Sequence, residues 1–214
     1  MKAICMFVGL FGLCSINAFA GSLDFGTPAA ANDWPFQRGA WDIEAGAGEL
    51  GSFSTSSAKR PTVDYQLDDL RLGWMYDSPR RPGWLRGNNE LMLELFAGPV
   101  TKGPGSYLGG ASLLWRYNFV QPAGTAGPSG LTPYCQLGIG ALDNDVFTGR
   151  AQKEIGEAFE FELLGGLGLK YRFHHDWAIS LEADYRHISN AGLSSRNEGL
   201  NSIGGLMQVS YFFR

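Results

Sequence analysis

Residues 158–173 read Ala158-Phe159-Glu160-Phe161-Glu162-Leu163-Leu164-Gly165-Gly166-Leu167-Gly168-Leu169-Lys170-Tyr171-Arg172-Phe173. One parity carries Phe159, Phe161, Leu163, Leu167, Leu169, Tyr171 and Phe173; the other carries Glu160, Glu162, Lys170 and Arg172. Successive side chains of a β-strand point to opposite faces, so this is a two-faced strand. Residues 176–189 repeat the pattern: Trp177, Ile179, Leu181, Ala183 and Tyr185 oppose Ser180, Glu182, Asp184 and Arg186. Outward from this pair, Leu91, Leu93, Leu95 and Ala97 oppose Glu90 and Glu94. Likewise Tyr107, Leu113, Trp115, Tyr117 and Phe119 oppose Ser112, Arg116 and Asn118. No helical period competes. Eight alternating segments emerge, at 40–49, 62–77, 88–99, 106–119, 132–143, 158–173, 176–189 and 200–213, separated by clusters of Gly, Pro, Asn and Asp.

Alternation alone fits a soluble β-sandwich as well as a barrel in lipid. Two features favour the barrel. Most of the segments span 12 to 16 residues, long against the ~5–6 of a globular strand but suited to a tilted membrane crossing. The polar parity also mixes signs: Glu44, Arg71, Glu90, Glu94, Arg116, Glu160, Glu162, Lys170, Glu182, Asp184 and Arg186. Acids and bases at one depth suit a narrow closed lumen, with the apolar face turned to lipid. Trp41, Trp74, Tyr76, Tyr117, Phe119, Phe173, Trp177, Tyr211 and Phe213 lie near segment ends, as interfacial girdles would. The expected fold is all-β, an eight-stranded antiparallel transmembrane β-barrel.

Composition agrees. Thirty glycines in 214 residues is about twice the usual ~7% share. After Ala20 no apolar run approaches the ~18 residues of a spanning helix. Residues 1–20, with Lys2, an apolar run through Cys14 and Ala18-Phe19-Ala20, read as a secretory signal peptide, leaving 21–214 as one barrel domain. Removing that segment takes away Lys2 and no acid, so the charge goes from 17 − 21 = −4 to 16 − 21 = −5. That balance argues against a nucleic-acid partner. Cys5 and Cys14 leave with the signal, and Cys135 remains alone on an apolar face. With a periplasmic N-terminus, odd segments run outward. Polar stretches 50–61, 144–157 and 190–199 are then extracellular, and 78–87 and 120–130 are periplasmic turns. Residues 21–39 show no strand pattern, and the chain closes on Tyr211-Phe212-Phe213-Arg214.

The seventh segment changes character at its end. Its apolar parity continues Tyr185, His187, Ser189, and residues two apart on one strand face are ~6.6 Å apart. A Ser beside a His is the smallest unit of nucleophilic acyl transfer, the imidazole taking the hydroxyl proton during attack. The plainer reading is a strand end meeting polar headgroups. The wider stretch is more specific: Tyr185-Arg186-His187-Ile188-Ser189-Asn190-Ala191-Gly192-Leu193, then Asn197-Glu198-Gly199-Leu200-Asn201-Ser202. Residues 185–202 resemble the active-site strand and loop of the outer-membrane lipid A 3-O-deacylase family (PagL type), with its His-x-Ser-Asn-Ala. The resemblance implies His187 as base, Ser189 as nucleophile, and Asn190 and Asn197 as amide donors to the oxyanion. For Asn190 and Asn197 the competing role is turn chemistry. Where the family often has Glu, this chain has Asn201, with Glu198 three residues earlier.

Strand parity separates those two. Asn201 shares the odd numbering of Ile203, Met207, Val209, Tyr211 and Phe213. Antiparallel pairing with residue numbers summing near 388 sets it across from His187. Glu198 has the other parity, in a turn-like Asn197-Glu198-Gly199. A tight turn near 174–175 gives sums near 348 or 350 for segments six and seven. His187 then faces Phe161 or Leu163, and Ser189 faces Phe159 or Phe161, so Phe159, Phe161 and Leu163 are the expected acyl pocket. Other candidate motifs are weaker. His174-His175-Asp176 lies in the turn far from Ser189, and Gly165-Gly166-Leu167-Gly168 precedes no helix. Asp143-Asn144-Asp145 lacks the later Glu of a calcium loop.

The resemblance implies an outer-membrane esterase that removes the 3-O-linked acyl chain from lipid A of lipopolysaccharide, with no metal or cofactor. A homodimer and a monomer both fit. The alternatives are a non-catalytic structural barrel and a lipid A acyltransferase.

Overall fold

The computed structural model describes residues 33–54, 62–121 and 130–214; the leader and its cleavage point, and residues 55–61 and 122–129 of two expected connections, lie outside them. Eight strands are present: β1 (Trp41–Phe53), β2 (Asp64–Met75), β3 (Asn88–Lys102), β4 (Tyr107–Asn118), β5 (Leu131–Asn144), β6 (Phe159–Arg172), β7 (Trp177–Ser189) and β8 (Leu200–Phe213). Each pairs antiparallel with its neighbours in sequence, and β8 closes on β1. Closure pairs every strand on both edges, which satisfies the backbone polar groups that lipid would leave without partners.

Outward residues are apolar and open to the surroundings, among them Leu113, Leu137, Ile139, Leu167 and Leu181, each more than half exposed. Inward residues are buried and charged. Arg116 makes a two-pronged contact with Glu44 at 2.8 and 3.0 Å, and Arg71 does the same with Glu182 at 3.1 and 3.0 Å. Arg186 reaches Glu94 at 2.9 Å, Glu162 at 3.2 Å and Asp184 at 2.9 Å, and Lys170 contacts Glu44. Forked guanidinium–carboxylate pairs meet geometry that a lysine cannot, which suits them to a lumen without bulk water.

The charged belt does not run the full length of the lumen. At the end where β7 finishes, Leu50, Tyr65, Leu67, Phe96, Leu142, Ile188 and Leu206 form a buried apolar cap. At the opposite end Phe36, Ala40, Met75, Val120, Ala178 and Phe212 form another. Phe36 comes from the lead segment, whose short 3-10 helix Trp34–Phe36 carries Pro35 in its first turn and packs edge-on against Phe212 at 5.8 Å. That helix seals the end bearing the turns.

β1 and β3 outrun their alternating segments by three residues or more. β1 continues to Phe53 because Gly51, Ser52 and Phe53 still pair with Ile203, Ser202 and Asn201 of β8. β3 continues to Lys102 against Asp64 of β2. Gly51-Ser52 shows no apolar alternation, and Val100-Thr101-Lys102 follows the break at Gly98-Pro99, so neither extension is visible to periodicity. The β2–β3 turn folds back outside the wall: Tyr117 has outward parity, yet it is buried, its hydroxyl donating to Leu85 O at 2.7 Å.

Candidate functional site

β7 ends at Ser189, and His187 and Ser189 are half-buried on its outward face. The flanking registers place their neighbours. On the β6 side, Leu163 lies opposite His187 and Phe161 opposite Ser189, a sum of 350. On the β8 side, Asn201 lies directly opposite His187, a sum of 388. Asn201 Oδ1 is 2.9 Å from His187 Nδ1. An amide oxygen only accepts, so this contact puts the ring proton on Nδ1 and leaves the Nε2 lone pair available. The same oxygen accepts the Tyr185 hydroxyl at 2.7 Å. Tyr185 is the member of this group that the sequence pattern does not reveal: its apolar ring suits the outward stripe, and nothing in the alternation shows where its hydroxyl goes.

Among the described residues no hydrogen bond joins Ser189 Oγ to the imidazole. The two side chains share one strand face, and a serine hydroxyl changes direction through its χ1 rotamers. Catalytic contacts are often long without substrate.

The loop after Ser189 is built tightly. Asn190 is fully buried and its side chain is spent on the loop: Nδ2 donates to Arg196 O at 3.0 Å, and Oδ1 accepts Gly192 N–H at 3.1 Å. The expected oxyanion role of the Asn190 amide is therefore not supported by its geometry. A buried amide bonded to its own loop serves the turn. Asn197 Oδ1 accepts the Asn190 backbone N–H at 2.8 Å, which ties the two ends of the loop together.

A second loop braces the first. Arg196 Nη2 donates to Phe147 O at 2.8 Å. Glu198 N–H donates to Lys153 O at 3.0 Å, and Gly199 N–H to Glu154 O at 3.1 Å. Glu198 is exposed, and the partner of His187 Nδ1 is Asn201. Gly199 sits at φ +76°, and a Cβ there would lie 2.7 Å from His187 Cε1. Glycine at this position lets the loop close over the imidazole.

Phe159, Phe161 and Leu163 are exposed on the outward face of β6, with the two phenyl rings edge to face at 5.2 Å. Leu163 also borders a shallow outer groove of about 470 Å³ that it shares with Leu113, Leu137, Gly138 and Ile139. At the turn end, His175 bonds Asp176 at 2.6 Å and stacks on Trp34 at 5.2 Å, so this pair belongs to the seal made by the lead segment.

A family model described as lipid A 3-O-deacylase (PagL) matches residues 68–210. Among solved structures, the Neisserial surface protein A is 14% identical, with a TM-score of 0.53 over 82% of this chain and 100% of that chain. The outer membrane enzyme PagL is 20% identical over 78% of this chain and 97% of that chain, with a TM-score of 0.48. The N-terminal β-barrel domain of Pseudomonas aeruginosa OprF is 20% identical over 82% of this chain and 98% of that chain, also with a TM-score of 0.48. The first of these likenesses shows the barrel fold. No curated protein matches the chain.

Proposed function

The chain belongs to the lipid A 3-O-deacylase family of outer-membrane barrels, and we propose that it cleaves the 3-O-linked acyl ester of lipid A with Ser189 as nucleophile and His187 as base. The observation that carries this reading is the Asn201 Oδ1–His187 Nδ1 contact of 2.9 Å beside Ser189 on the lipid-facing wall. An ester whose acyl chain is already in the leaflet reaches such a site sideways, without entering the sealed lumen. The loop-bearing end then faces the outer leaflet, and residues 1–20 are the export signal removed on the way.

In the first half-reaction Ser189 Oγ attacks the ester carbonyl while His187 Nε2 takes its proton. The bond from carbonyl carbon to sugar oxygen breaks, and the imidazolium returns the proton to the departing alkoxide. Water then attacks the acyl-serine with His187 again as base, freeing the fatty acid and restoring Ser189. Asn201 keeps the imidazole in the required tautomer. Asn197, whose oxygen is anchored to the Asn190 N–H, is the amide left to supply a donor to the tetrahedral oxyanion. The leaving chain lies along Phe161 and Leu163, with Phe159 at its rim.

Mass spectrometry of lipid A from cells with and without the protein tests this. Loss of one hydroxyacyl mass supports the deacylase. A gain of an acyl mass identifies a transferase, and an unchanged profile a structural barrel; either result overturns the proposal.

A further inference from the structure

We propose that Tyr185 is a positioning residue that holds the Asn201 amide with its carbonyl, and not its NH2 group, toward His187. The proposal rests on the reading of Ser189 and His187 as nucleophile and base. Tyr185 precedes His187 by two residues on the outward face of β7, and its ring is steadied by Phe53 at 6.2 Å. Its hydroxyl and His187 Nδ1 converge on one oxygen, Asn201 Oδ1, at 2.7 and 2.9 Å. A carbonyl oxygen has two lone pairs, and these two donors use both.

Such a hold matters because the residue opposite His187 is an amide and not a carboxylate. The two ends of an amide are nearly equal in shape and opposite in hydrogen bonding. If the amide flips, its NH2 group faces the imidazole, Nδ1 must accept, and the ring proton moves to Nε2. Nε2 is the atom that must take the Ser189 proton, so a flip disables the base while His187 and Ser189 stay in place. A carboxylate has no wrong end. Tyr185 opposes the flip: its hydroxyl donates to the carbonyl, whereas against an NH2 group it would have to turn and accept, and its own proton would lose the acceptor it has in Asn201 Oδ1.

The test is a double-mutant cycle on the full-length barrel in detergent, with lipid A as substrate and release of hydroxy fatty acid as readout. The variants are Tyr185→Phe, Asn201→Glu, the two together, and Ser189→Ala, each checked for the folded barrel by heat-modified gel mobility. Tyr185→Phe is expected to lower kcat roughly tenfold, about the worth of one neutral hydrogen bond, with KM within about twofold. In the Asn201→Glu background the same change should cost less than about twofold, because a carboxylate needs no orienting. An unchanged kcat in Tyr185→Phe overturns the proposal. So does a loss of equal size in both backgrounds, which would mark Tyr185 as a substrate contact or a structural residue. An inactive Asn201→Glu overturns it too, since a carboxylate would then not replace the oriented amide. An active Ser189→Ala instead defeats the nucleophile reading, and that outcome is read separately.

Discussion

Replacing Asn201 by alanine removes the acceptor of two donors at once, His187 Nδ1 at 2.9 Å and the Tyr185 hydroxyl at 2.7 Å. Asn201 is 9% exposed, so water only partly replaces it. Leaving one such donor without a partner costs ~1–3 kcal/mol. For the imidazole that cost grows as it becomes imidazolium in the transition state. At ~1.4 kcal/mol per factor of ten, kcat/KM should fall ~10- to 100-fold. The loss stays below that of removing the serine, because nucleophile and base are both retained. Asn201→Glu should hold or raise the rate, since a carboxylate stabilises imidazolium better than an amide does. The cavity of about 80 Å³ beside Asn201 leaves room for the extra methylene. Glu198→Ala should change little, because Glu198 is exposed and joins the brace through its backbone N–H. The assay is hydroxy fatty acid released from purified lipid A. A dead Glu198→Ala beside a healthy Asn201→Ala would overturn the role given to Asn201 and show that the loop carboxylate folds over His187.

Other substitutions probe the acyl pocket, the loop and the lumen. Phe161 sits across from Ser189, so Phe161→Ala should change the ratio of rates on short- and long-chain substrates; an equal slowing of every chain length would remove it from the acyl pocket. Gly199→Ala puts a Cβ 2.7 Å from His187 Cε1 at φ +76°, and should lower kcat ~10-fold or more through strain and a displaced ring; wild-type kinetics would show that the loop yields freely. Arg116→Met removes the forked partner of Glu44, and uncompensated buried carboxylates should destabilise the barrel by ~3–5 kcal/mol; an unshifted urea midpoint in detergent would contradict this.

The barrel is legible in the sequence because lipid and a charged lumen impose opposite demands on alternate residues, and β6 and β7 obey them along most of their length. Register is legible for a related reason. The tight turn near 174–175 narrows the pairing of β6 and β7 to sums of 348 or 350, of which the structure has 350, and parity sets Asn201 across from His187. The strand extensions are hidden, since Gly51-Ser52 interrupts alternation while its backbone still pairs with β8, and Val100–Lys102 lies beyond a Gly98-Pro99 break whose backbone still pairs with β4. The apolar caps are hidden as well. Leu67, Phe96 and Ile188 point inward, and an inward leucine carries no mark that separates it from a lipid-facing one except position along the strand. Within the site, the His187–Asn201 pairing follows from strand number, whereas the Tyr185 hydroxyl and the burial of Asn190 depend on rotamers and loop path. Neither can be read from spacing. Asn190 illustrates the difference: its motif suggests an oxyanion donor, but the loop's own backbone claims its amide first.

Ser189 is the atom source on which the proposed acyl transfer at the lipid-facing wall depends. Its role is measured by comparing wild type with Ser189→Ala, as folded barrels in detergent, on purified lipid A, following loss of the 3-O-acyl chain by mass spectrometry. The expected rate is at least ~10³-fold lower for Ser189→Ala, with little further loss on adding His187→Ala, because nucleophile and base act as a unit. Wild-type deacylation by Ser189→Ala would contradict a serine mechanism.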